Sequence, residues 1–210
     1  LLNPATGHVV TIGDHLQLAA IFATEYPEVS GIVHDKRVRM DLSILSYLRS
    51  FVPPNNVASL KDNFRMCEQL ASFTREALYE GYNIPAQREN PPMGGLHFDD
   101  MGNLYASILS CDRALCSLRL QHEGLGADDM LALEARVAAS LVRTYDTGRP
   151  DEGSLASEVF VVTPHHVQRV SVLRDLLNNE ATQPRFADVC VDTAERMQGQ
   201  EAALVVICYA

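Results

Sequence analysis

The chain has 210 residues, 47% hydrophobic and 21% charged, with 12 Gly and 10 Pro. This is the usage of a folded globular chain of one large or two small domains, and it excludes disordered, collagen-like and fibrous classes. The formal charge of −10 argues against a generally basic nucleic-acid coat, although 15 of the 17 cations are Arg, which favours bidentate phosphate or carboxylate contacts over diffuse attraction.

In chain order, His8–Ile12 (His-Val-Val-Thr-Ile) predicts a short buried strand, broken by Gly13-Asp14. Between Asp41 and Phe51, apolar residues at 44, 45, 48 and 51 follow a helical period. Pro53-Pro54-Asn55-Asn56 then breaks the chain, and a domain boundary is expected there, dividing residues 1–54 from 55–210. Met66, Leu70, Phe73 and Ala77 predict an amphipathic helix with Gly81 as its stop. Residues 83–100 are rich in Pro, Asn and Gly and predict a long loop, while 104–120 fits helix or strand. A helix follows, with Asp128 or Asp129 as cap and Met130, Leu133, Val137 and Leu141 on one face. Val159–Val162 predicts an unbroken apolar strand ending in Thr163-Pro164. The next helix carries Val170, Leu173 and Leu177, and strands at Val189–Val191 and Leu204–Tyr209 close the chain. Unbroken apolar strands alternating with helices imply an α/β fold with a parallel sheet covered on both faces.

No apolar run reaches the roughly 18 residues a membrane span needs. The opening Leu-Leu-Asn-Pro-Ala-Thr-Gly has no secretory-signal pattern, and its first residue suggests a piece of a longer polypeptide. Cys67, Cys111, Cys116, Cys190 and Cys208 are odd in number and form no C-x-x-C pair. Reduced thiols in an intracellular protein, nuclear or cytoplasmic, are therefore expected rather than a disulfide scaffold or zinc ribbon.

Three polar patterns stand at the carboxyl ends of predicted strands, where open α/β sheets keep their ligands. Gly13-Asp14-His15-Leu16-Gln17-Leu18 places a carboxylate and an amide at the mouth of the sheet, suited to a metal or its water and to a phosphate; a plain turn before a helix is the alternative. Asp62-Asn63-Phe64-Arg65-Met66 sets an Arg at the expected start of a helix, where a guanidinium can reach a transferring phosphoryl group; a surface Arg in a first turn is the alternative. Thr193 to Glu201 supplies a hydroxyl, two amides, a close-approach glycine and a carboxylate in nine residues, too polar for a core connection. Thr163-Pro164-His165-His166 belongs with it, as a strand end expected to expose a hydroxyl beside two imidazoles. Adjacent histidine side chains diverge and have no third ligand at helical spacing, so a metal site is not expected there.

Together these patterns resemble the superfamily 1 helicases of the up-frameshift and senataxin-like branch. Gly13 to Leu18 resembles their motif III, G-D-x-x-Q-L. Leu60-Lys-Asp-Asn-Phe-Arg-Met66 resembles motif IV, usually written with Tyr-Arg-Met. Val162-Thr-Pro-His-His-Val-Gln168 resembles the T-P-Y-x-x-Q segment, and Thr193 to Glu201 resembles motif V, T-V-x-x-x-Q-G-x-E. The four stand in the family's order. Departures are Ala19-Ala20 for Pro-Pro, Phe64 for Tyr and His165 for Tyr.

The resemblance implies a RecA-like fold with helices on both faces of the sheet, residues 1–54 being the tail of a first RecA-like domain and 55–210 most of a second. It implies that Gln17 senses the γ-phosphate of ATP, that Asp14 sits near Mg2+, and that Arg65 is an arginine finger. It implies that Gly13, Gly199 and Glu201 help hold the nucleotide. Thr163 and Thr193 are implied to hydrogen-bond the backbone of single-stranded RNA or DNA, with Pro164, His165 and Gln168 in the same strand-binding segment. No G-x-x-x-x-G-K-[ST] occurs in the 210 residues, and Asp151-Glu152-Gly153 follows Gly-Arg-Pro and reads as loop. The expected function is thus part of an ATP-dependent helicase that steps along one strand. The alternatives are a helicase-like binding or scaffold module without catalysis, and a stand-alone α/β nucleotide-binding protein.

Overall fold

An apolar run becomes a strand only where a neighbouring backbone pairs with it, and this condition decides much of the fold. The computed structural model describes residues 8–17, 32–33, 36–37, 43–49, 51–79, 85–88, 96–100, 102–111, 113–150, 153–178 and 183–209. The chain divides into two units, Leu1–Arg88 and Glu89–Ala210. Leu18, Ala19, Ala20, Gly81, Asp151 and Glu152 lie outside the described residues.

In the first unit, residues 8–12 are not the buried strand expected: no described residue pairs with them, and Val10 and Ile12 are 83% and 95% exposed. Two short antiparallel strands follow, β1 (Ile32–Val33) and β2 (Lys36–Arg37). Helix α1 (Ile44–Arg49) occupies the segment with the helical period. One 3-10 turn at Pro54–Asn56 marks the Pro-Pro break, where proline's fixed φ and missing N–H end regular structure. Strand β3 (Asn63–Cys67) leads into α2 (Glu68–Ala77) and returns to β4 (Ala86–Arg88), which pairs parallel to β3. The segment expected to be wholly loop thus contains a strand. The expected helix begins two residues later than Met66; of α2's side chains Ala71 is buried and Phe73 is exposed.

The second unit begins with α3 (Leu104–Leu109), capped by the Asn103 side chain, which accepts from the Tyr105 N–H at 2.8 Å. Residues 113–126 are irregular, so the 104–120 ambiguity resolves as one short helix and then loop. Helix α4 (Ala127–Gly148) starts after Gly126, with Asp128 and Asp129 in its first turn rather than at the cap, where carboxylates favour the positive end of the dipole. Its buried stripe is Ala135, Ala138, Ala139, Val142, Tyr145 and Gly148, not the face of larger residues expected.

Strands β5 (Val159–Thr163), β6 (Cys190–Thr193) and β7 (Leu204–Ile207) form a parallel sheet in the order β6-β5-β7. Helices α5 (His166–Leu176), α6 (Gln183–Phe186) and α7 (Ala194–Met197) connect them. Val159 and Val161 pack into one core with Val191, Val172, Leu176, Val142 and Leu155. Helix α5 buries Gln168, Val172 and Leu176, with Leu173 and Leu177 packed partly buried against the core and Val170 exposed. Arg185 of α6 ties this layer to α4 through a forked pair with Asp146, at 2.6 to 3.1 Å. The second unit is therefore a RecA-like α/β layer, as the pattern of strands and helices implies. No helix among the described residues is long and apolar enough to cross a membrane.

Candidate nucleotide and strand site

The strand order places a switch point in the sheet. Central β5 connects to β6 on one side, and the chain then crosses to β7 on the other. In open α/β sheets the crevice beyond the carboxyl ends at such a point receives ligands. Parallel register pairs Thr163 with Thr193 there, on adjacent strands.

The two threonines differ in access. Thr163 is fully buried and its hydroxyl reaches the Asp192 carbonyl at 3.5 Å, so the exposed hydroxyl expected at this strand end is not found. The side chain finishes the sheet, because a buried hydroxyl must find an acceptor. Thr193 is half-buried and stands at the N-cap position of α7 without a side-chain capping bond; Glu195's own N–H, foremost, and then the Thr193 hydroxyl hold the Glu195 carboxyl below the usual carboxylate range. Pro164 and His165 are exposed at the start of α5.

Gln168, one turn into α5, points inward instead. Its amide N–H donates to Glu134 at 2.9 Å, and Glu134 also accepts from the Tyr209 N–H at 2.7 Å. Among the described residues its carbonyl Oε1 has no hydrogen-bond partner. Beside it, burial first and the Glu134 charge second push the Cys208 thiol up to about 12. Gln168 thus locks α5 to α4 and to the end of β7.

Gly199 has φ +84°, a left-handed conformation that costs a side-chain-bearing residue but not glycine. No atom crowds its missing Cβ, so backbone conformation rather than space demands the glycine. Glu201 is exposed beyond it.

Three charged residues join this edge that the sequence reading did not single out. Asp192 faces Arg169 at 3.7 Å and Arg196 at 3.4 Å. The Thr193 N–H, foremost, and then the two guanidinium charges outweigh burial and hold its carboxyl below the usual range. Arg169 also donates to the Val191 carbonyl at 2.8 Å. The available signal was an acidic residue ending the otherwise apolar Val-Cys-Val run.

In the first unit, Gly13 lies against α1, where an added Cβ meets Leu45 at 3.1 Å. Asp14 is half-buried. Its carboxylate accepts from the Leu16 N–H at 3.0 Å, from the Gln17 amide at 3.3 Å and from the Tyr79 hydroxyl. Burial alone raises the Asp14 pKa, but these three bonds and the neighbouring His15 outweigh it and hold the carboxyl below its ordinary value. The same bond, with burial and the Asp14 charge, pushes the Tyr79 phenol up to about 12. Nothing in the spacing pointed to Tyr79, which lies 65 residues from Asp14.

Arg65 is exposed in β3 and not in the first turn of a helix as expected. The register slips between Asn63, opposite Ala86, and Cys67, opposite Arg88. Asn63 explains the slip: its side-chain oxygen accepts from the N–H groups of Arg65 at 3.0 Å and Met66 at 3.1 Å. Short polar side chains compete for ladder donors in this way.

The Asp14–Tyr79 pair makes the first unit's stability depend on pH at both ends. Asp14's folded pKa is lowered, so its contribution is present above the unfolded carboxylate value and lost as pH falls through the folded one. Tyr79's is raised, so its contribution is present below about 10 and lost as pH rises toward about 12. Urea unfolding of Tyr79→Phe across pH is expected to show both limbs flattened; limbs identical to the parent's rule the pairing out.

A family model described as an AAA domain matches residues 40–210. That span contains Arg65 and every candidate of the second unit, and begins after Gly13, Asp14 and Gln17. No curated protein and no solved structure matches the chain. With the parallel RecA-like layer, the match shows that the chain belongs to the AAA-domain family, a helicase-like group of P-loop NTPases.

Proposed function

We propose that the chain is part of an ATP-dependent helicase of the up-frameshift and senataxin-like branch, coupling ATP hydrolysis to movement along a single strand of RNA or DNA. The observation that carries the reading is half-buried Thr193 at the carboxyl end of β6, at the switch point of the sheet, beside exposed Pro164 and His165. Hydroxyls and backbone groups at strand ends contact phosphates without reading bases. Residues 1–54 are assigned to the tail of a first RecA-like domain and 55–210 to the second; this assignment follows motif order, while the two compact units divide after Arg88.

In this reading Gln17 senses the γ-phosphate, Arg65 stabilises charge on the transferring phosphoryl group, and Gly13, Gly199 and Glu201 border the nucleotide. Mg2+ and ATP, when bound, supply the phosphoryl group and neutralise its charge. Asp14 stays ionised, but both of its oxygens already accept hydrogen bonds, which suits contact with Mg2+ through one of the waters this ion keeps. The 210 residues contain no G-x-x-x-x-G-K-[ST], so the phosphate cradle is assigned to another part of the polypeptide. The same absence favours a second reading, a strand-binding module without catalysis. ATP hydrolysis by the full polypeptide, stimulated by single-stranded nucleic acid, separates the two.

Strand binding has its own test. Thr193→Ala is expected to weaken single-strand affinity about equally across sequences, by on the order of 1 kcal/mol. Thr163→Val, which keeps the buried shape, is expected to leave affinity nearly unchanged, since that hydroxyl serves the sheet. Fluorescence anisotropy with oligonucleotides of several sequences measures both; a changed sequence preference at constant mean affinity rejects the phosphate-contact assignment.

A further inference from the structure

The exit of α3 carries a pair of cysteines that the function above does not use. Cys111 follows the last turn of α3, and Cys116 lies in the irregular segment that leads to α4. Their Sγ atoms are 3.1 Å apart, while a disulfide closes at about 2.05 Å; a further approach of about 1 Å makes the bond. Cys116 is exposed and Cys111 half-buried, whereas Cys67 and Cys208 are buried. A small oxidant therefore reaches this pair from solvent. The adjoining helix is anchored, with Ala106 and Leu109 of α3 buried, so the pair sits at the boundary between fixed and irregular backbone.

We infer that Cys111 and Cys116 are a thiol–disulfide modification site, closing reversibly into an intrachain bond that staples the exit of α3 to the segment leading to α4. The oxidant is a small-molecule disulfide. The thiolate of one of the two cysteines attacks one of its sulfurs, forming a mixed disulfide and releasing the first small thiol. The other cysteine then loses its proton and attacks the protein sulfur of that mixed disulfide, forming the Cys111–Cys116 bond and releasing the second small thiol. Two protein thiols are oxidised and one external disulfide is reduced to two thiols, so electrons and protons balance. The thiolate is the attacking species in such exchange, and the contact between the two sulfurs places the second thiol against the mixed disulfide whichever cysteine reacts first.

The test treats the folded 210-residue chain with oxidised glutathione, quenches in acid and unfolds it. Free thiols are blocked with iodoacetamide; the sample is then reduced, labelled with N-ethylmaleimide and mapped by mass spectrometry. The expected result is N-ethylmaleimide on Cys111 and Cys116 in equal amount, carbamidomethyl on Cys67, Cys190 and Cys208, and reversal by dithiothreitol before quenching. Arg113 lies between the two cysteines, so trypsin leaves two peptides joined by the bond in an unreduced sample. Carbamidomethyl on both Cys111 and Cys116, or glutathione retained on either, overturns the site. Cys116→Ser and Cys111→Ser are each expected to retain glutathione on the remaining cysteine of the pair; no retained glutathione in either variant overturns the site.

Discussion

If the full polypeptide hydrolyses ATP as proposed, replacing Arg65 by alanine in it is expected to cut turnover by roughly 10³–10⁵, the range for arginine fingers, with little change in thermal stability. The stability half follows from where Arg65 sits. It is exposed, and its backbone N–H bonds to the Asn63 side chain, a contact the substitution leaves in place. A surface contact of the side chain is worth at most about 1 kcal/mol. The catalytic half rests on the role proposed for Arg65 at the transferring phosphoryl group. Arg65→Lys is expected to restore little, because a point charge does not reproduce the planar fork on two phosphoryl oxygens. Steady-state ATPase rates beside melting curves check both halves. Near-normal turnover in Arg65→Ala removes the finger assignment and favours the strand-binding module without catalysis.

What the sequence made legible was what depends on local apolar pattern. Val159 to Val162 reads as a buried parallel strand because no polar residue interrupts it, and it is the centre of the sheet. The failures have two physical origins. His8 to Ile12 has the same apolar character, yet strand geometry needs a pairing partner, and no described residue supplies one. In α4 the large residues at Leu133, Val137 and Leu141 satisfy a helical period, so they drew the expected face. The buried stripe is built from Ala135, Ala138 and Ala139, whose small side chains bring the helix close to its neighbours but carry almost no hydropathy signal.

The candidate site was legible in type and not in contact. Asp14, Gln17, Arg65 and Thr193 were readable because polar groups cluster after apolar runs. That Thr163 serves the sheet, that Gln168 turns inward to Glu134, and that Tyr79 bonds Asp14 all depend on tertiary packing. Asn63 lies between: an Asn beside an Arg signals a turn or a cap with equal force, and only the slipped register shows which donors it takes.

The orientation of α5 gives the second large expected effect, because its apolar residues are not buried alike. Leu173 and Leu177 pack partly buried against the core. In the structure Val172 and Leu176 are fully buried, in a core with Val142, Val159 and Val161, while Val170 is 51% exposed. Leu176→Ala removes a side chain enclosed on all sides, and a packed interior relaxes only partly around the space it leaves. The expected cost is about 2–5 kcal/mol, the range for buried Leu→Ala changes. Val170→Ala removes methyl groups already facing water and is expected to cost under about 0.5 kcal/mol. Urea unfolding of the two variants, compared at matched slope so that midpoints report stability, gives the contrast directly. A larger loss in Val170→Ala than in Leu176→Ala means that α5 turns its other face to the sheet. That rotation carries Gln168 away from Glu134 and His165 away from the strand ends, so the same measurement tests the frame on which the strand-binding assignment stands.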